Sequence, residues 1–76
     1  MNIEDFIENF AEQFDETDAS EINTQTIFRN LKEWSSVIAL SIIAMVDEEY
    51  DVTLKGDDIR NSNTVEELFN IVAAKA

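Results

Sequence analysis

Seventy-six residues support one hydrophobic core and no second, because a chain this short buries only about 60% of the surface it exposes when unfolded, so a single domain spanning residues 1–76 is expected. Seventeen Asp and Glu against five Lys and Arg give a net charge of -12, which repels nucleic-acid phosphates and anionic lipid and attracts basic protein faces. With no Cys there is neither a disulfide nor a thiolate metal site, so the 45% apolar residues must hold the fold by packing.

Ile3, Phe6, Ile7, Phe10, Ala11 and Phe14 recur at i, i+3, i+4, i+7 with Glu4, Asp5, Glu8, Glu12 and Gln13 opposite, which predicts an amphipathic helix from Asn2 to Glu16. This acidic, amphipathic start is not that of a secretory leader. From Thr17 to Trp34 the period fails among the turn formers Asp18, Ser20, Asn23 and Thr24, and a long connection is predicted, pinned to the core by Ile22, Phe28 and Leu31.

Ser35 or Ser36 then caps a second helix that runs to Tyr50. Its middle is apolar on nearly all sides. Val37, Leu40, Ile43 and Ala44 form one stripe, Ile42, Met45 and Val46 widen it, and Ile38 and Ala39 leave little polar face before Asp47, Glu48 and Glu49. The run is too short to cross a bilayer, and an intracellular, cytoplasmic protein is expected. Asp51 to Leu54 alternates as a short extended link, Gly56-Asp57-Asp58 is a turn or a brief helix around Ile59, and Thr64-Val65-Glu66-Glu67 is a capping box opening a last helix. The expected fold is all-α, a four-helix bundle of three main helices and one short one with a long first loop.

Catalysis has little to work with. There is no His to serve Ser35 or Ser36 as a base, the acidic pairs Asp47-Glu48 and Asp57-Asp58 diverge on a helix, and Asp15 to Asp18 lacks the ligand spacing of a calcium loop. No catalytic residue and no metal site is expected. A serine at a helix start is most simply a cap, but it is also a site where another enzyme can attach a phosphodiester that the helix N-terminus favours.

Phe28, Leu31, Ser36, Val37, Leu40, Ile42, Ile43 and Val46, then Asp47-Glu48-Glu49-Tyr50, then Val52, Leu54 and Thr64-Val65, resemble the acyl carrier protein family in order and spacing. That family has a Phe and a Leu in a long first loop, an Asp-Ser-Leu motif, an apolar second helix and an acidic, aromatic end. The resemblance implies a non-catalytic carrier on which a magnesium-dependent phosphopantetheinyl transferase attaches 4'-phosphopantetheine to Ser36. It implies that Val37, Leu40, Ala44, Asp47 and Glu48 meet partner enzymes with basic or apolar docking faces, in fatty-acid or related polyketide-like biosynthesis. It implies that Phe28, Ile42, Val46, Leu54 and Ile59 line the interior that shelters an acyl chain. Nothing in the sequence itself suggests more than a monomer, and a monomer is expected.

The sequence departs from the pattern at Ser35, where the family has Asp, at Ile38 and Ser41, where acidic residues are common and an apolar docking face is expected instead, and at Ser62, where an apolar residue is common. Two alternatives share these features: a peptidyl or aminoacyl carrier, and an unmodified acidic helical module that binds protein through helix two.

Overall fold

The computed structural model describes residues 1–76 as four helices and no strands. They are α1 (Ile3–Ala11), α2 (Ser36–Tyr50), α3 (Gly56–Arg60) and α4 (Val65–Lys75), with two single 3-10 turns, Ala19–Glu21 and Phe28–Asn30, in the first loop. The expected three long helices and one short helix are thus present. α1 packs on α2 and α4, and α3 closes the other side against the same two helices.

α1 begins where Asn2 accepts the Glu4 amide hydrogen, 2.7 Å away, and buries Phe6, Phe10 and Ala11. It stops at Ala11 rather than at the expected Glu16. The next amides tighten to i−3 carbonyls, Gln13 to Phe10 and Phe14 to Ala11, both at 3.1 Å. Those of Asp15, Glu16 and Thr17 then leave the helix for the Glu33 carboxylate at 2.6, 2.9 and 2.9 Å, and the Thr17 hydroxyl donates to the same group at 2.9 Å. A carboxylate that satisfies three consecutive amides competes directly with the helical ladder.

Burial raises the Glu33 pKa, but these four hydrogen bonds outweigh it and hold the carboxyl below its ordinary value. A lowered folded pKa gives stability that is present above the unfolded pKa and lost as pH falls through the folded one. Asp18, Asp58 and Glu67 are lowered as well, chiefly by the amides of Ser20, Lys55 and Asn63. Thermal melts should therefore change little between pH 7 and about pH 5 and then fall through the carboxylate range as these four groups are protonated. Glu33→Gln should melt below the wild type at neutral pH, and the two should converge at the acid end. A gap that persists there would show that the charge on Glu33 contributes nothing.

The loop is pinned as its apolar residues predict. Ile22 and Phe28 are buried, Leu31 is half-buried against the core, and the Phe28 ring packs at a tilt against Phe10 and Trp34, with ring centroids 5.9 and 4.8 Å away. Arg29 then ties the loop to the α3–α4 connection. Its guanidinium donates to the carbonyl oxygens of Ile59 (2.9 Å) and Ser62 and to Asn63 Oδ1 (2.6 Å). A single bridge, Ile27 to Thr64, joins the same two segments.

α2 leaves the ambiguity of its sequence behind. Ile38, Ile42, Met45 and Val46 face the core, at the i, i+4, i+7, i+8 spacing of one stripe, while Val37 and Leu40 face outward with 69% and 65% of their surface exposed. At its far end Asp51 adopts the left-handed conformation (φ 55°) that stops a helix, and the Tyr50 hydroxyl accepts from Asn9 Nδ2 at 2.9 Å, fixing α2 to α1. Beyond it Val52 and Leu54 alternate inward and Asp51 and Thr53 outward, as a two-residue period requires.

α4 opens with the predicted box: Thr64 Oγ1 accepts from the Glu67 amide at 3.2 Å, and Glu67 accepts from the Thr64 amide at 3.1 Å. Ser62 is fully buried although polar. Its hydroxyl donates to the Asp58 carbonyl at 2.9 Å, so the site takes a serine without an orphaned group.

Candidate functional site

Ser35 and Ser36 are both exposed but serve different ends. Ser35 has the extended backbone of an N-cap (φ -157°, ψ 173°), and its Oγ accepts from the Ile38 amide at 3.3 Å. Ser36 is the first residue of α2, so capping does not engage its hydroxyl. The segment Glu33-Trp34-Ser35 is held on both sides, by the Glu33 clamp and by Trp34, whose ring lies 4.8 Å from Phe28 and 6.4 Å from Phe14. The pinned loop thus ends in a fixed helix start.

A groove of about 440 Å³ opens beside Ser36, lined by Trp34, Ala39, Leu40, Ile43 and Ile59 together with Ser35, Gly56, Arg29 and Arg60. A second hollow of about 380 Å³ continues it along α2, sharing Leu40 and Ile43 and reaching Ala44, Asp47, Thr53 and Leu54. An apolar strip therefore runs down α2 from Ser36 to Asp47, walled by α3 and by the link that precedes it.

Val37, Leu40, Ala44, Asp47 and Glu48 are all exposed and lie on one helix. Phe28, Ile42, Val46, Leu54 and Ile59 are all buried in the one core cluster, between 0% and 5% exposed. Within that set only Leu54 and Ile59 also reach the groove or its continuation, whereas Phe28, Ile42 and Val46 are packed behind it. The expectation that Ile38 makes the docking face more apolar is corrected: Ile38 is 8% exposed and points into the core, because it shares a stripe with Ile42 and Met45.

Two groove residues were invisible as such in the sequence. Arg29 sits in a loop without periodicity, and Arg60 on a five-residue helix too short to show a face. No cluster of acidic side chains has the arrangement of a metal site, and no helix is long and apolar enough to cross a membrane.

Comparison of the chain with family models, with curated proteins and with solved structures finds no match in any of the three. The functional reading therefore rests on the residues and their geometry.

Proposed function

We propose that this protein is a carrier domain that accepts 4'-phosphopantetheine on Ser36 and presents the cargo of that arm to partner enzymes. The observation that supports the reading most is the division of labour at the serine pair. Ser35 caps α2, while Ser36 stands exposed at the head of an apolar groove, with a hydroxyl that capping leaves free.

In the attachment step Ser36 Oγ forms a bond to the pantetheine-side phosphorus of coenzyme A. The pyrophosphate P–O bond breaks, the adenosine bisphosphate half leaves, and the hydroxyl proton passes to a base on the transferase. The attached group supplies a terminal thiol that can hold an acyl chain as a thioester. This chain's residues hold the attachment point rigid, and the first turn of α2 turns unpaired amides towards the new anion. Val37 and Leu40, the most exposed large apolar side chains, and the acidic Asp47 and Glu48 would meet basic or apolar faces of the partners.

Intact mass spectrometry before and after incubation with coenzyme A, magnesium and a broad-specificity phosphopantetheinyl transferase tests the proposal. The mass of one phosphopantetheine should be gained by the wild type and by Ser35→Ala, and not at all by Ser36→Ala. Ser35→Ala loses a cap worth about 1 kcal/mol but keeps the acceptor. Loading with fatty acyl and with aminoacyl donors then separates an acyl carrier from a peptidyl one. No gain in any variant would leave the second reading, in which Val37 and Leu40 form the face of an unmodified protein-binding module.

A further inference from the structure

The groove beside Ser36 has a charge at odds with the chain that forms it. In a protein of net charge -12, its ten lining residues include two arginines and no acid. Arg29 is committed: its guanidinium donates to Ile59, Ser62 and Asn63 and lies over the Phe28 ring at 5.2 Å. Arg60 is not. Its one ionic partner is Asp57, three residues back on α3, and the two side chains are 72% and 76% exposed. An exposed i, i+3 pair of this kind contributes little, so an incoming anion can displace the carboxylate at small cost.

The side chain is also placed to meet one. Arg60 folds back along α3, so that its Nη1 lies 3.5 Å from where a side chain on Gly56 would begin, and Gly56 is itself part of the groove wall. The guanidinium head thus lies beside Gly56, on the α3 wall of the groove that Ser36 also borders. A planar fork of donors matches a phosphate better than a lysine would.

We propose that Arg60 is the counter-ion of a phosphodiester on Ser36, leaving Asp57 to pair with it and seating the uncharged chain that follows over Trp34, Leu40, Ile43 and Ile59. The pairing exchanges one ionic partner for another and needs no bond to form or break. Arg29 adds its field from behind. The inference rests on the carrier reading, and makes Arg60 a positioning residue for the arm.

The test is NMR of the wild type, Arg60→Gln and Asp57→Asn, each before and after transfer of the arm, with the mass recorded first. The Arg60 Nε–Hε signal should shift on modification of the wild type, and the phosphorus resonance of modified Arg60→Gln should differ from that of the wild type. Asp57→Asn should keep the wild-type phosphorus signal. In about 1 M salt, where screening falls to roughly 3 Å, the wild-type phosphorus signal should move towards that of Arg60→Gln. Modified protein whose Arg60 and phosphorus signals ignore one another would overturn the counter-ion and leave the carrier standing. An unchanged mass would overturn both.

Discussion

Phe28→Ala should cost about 3–5 kcal/mol, the usual loss when a fully buried phenylalanine is cut back to its Cβ. Phe28 is wholly inaccessible and joins Phe10 on α1 to Trp34 at the mouth of α2, with the Arg29 guanidinium over its face. Its removal empties the junction between the first loop and two helices rather than a corner of the core. For a domain of 76 residues the whole stability is roughly 4–11 kcal/mol, so the variant should melt at least about 12 °C lower or fail to fold cooperatively. Trp34 is the only tryptophan, so urea unfolding followed by its fluorescence reads the change directly. Leu31→Ala, at a half-buried site of the same loop, should cost much less. Equal losses in the two variants would mean that the aromatic junction is not what holds the loop.

Arg29→Lys should destabilise by about 2 kcal/mol although it keeps the charge. The guanidinium reaches two backbone carbonyls and the Asn63 side chain at once, whereas an ammonium on a shorter, non-planar head cannot span all three acceptors. Ser62, whose carbonyl is one of them, is fully buried, so water does not readily replace the lost donor there. Hydrogen exchange should quicken at Ile59 to Thr64 before it does in α1 or the middle of α2, since the connection is what the arginine fastens. A lysine variant as stable as the wild type, with unchanged exchange, would show that the three contacts do not hold the connection down.

Local signals were enough wherever a residue's role depends on neighbours within one turn or two. The capping box at Thr64 and Glu67, the inward alternation of Val52 and Leu54, the amphipathic face of α1 and the start of α2 at the serine pair all follow from spacing and side-chain chemistry. The all-α class and the long loop pinned by Ile22, Phe28 and Leu31 follow in the same way.

What the sequence left open involves partners far apart along the chain. α1 ends at Ala11 because Glu33, eighteen positions beyond Asp15, captures the amides of Asp15, Glu16 and Thr17 that would have continued it, and no periodicity in either segment carries that information. In α2 nearly every side chain between Val37 and Val46 is apolar, so its own pattern could not say which face is buried; packing against α1 and α3 chose Ile38, Ile42, Met45 and Val46 and left Val37 and Leu40 outside. The choice between the two serines was likewise settled by backbone geometry, since an N-cap is a conformation and either residue could have taken it. The gathering of Arg29 and Arg60 around one groove required the loop and α3 to be docked on α2. Sequence fixes what each segment prefers alone, and only the closed fold decides which surfaces meet and which amides a distant carboxylate can reach.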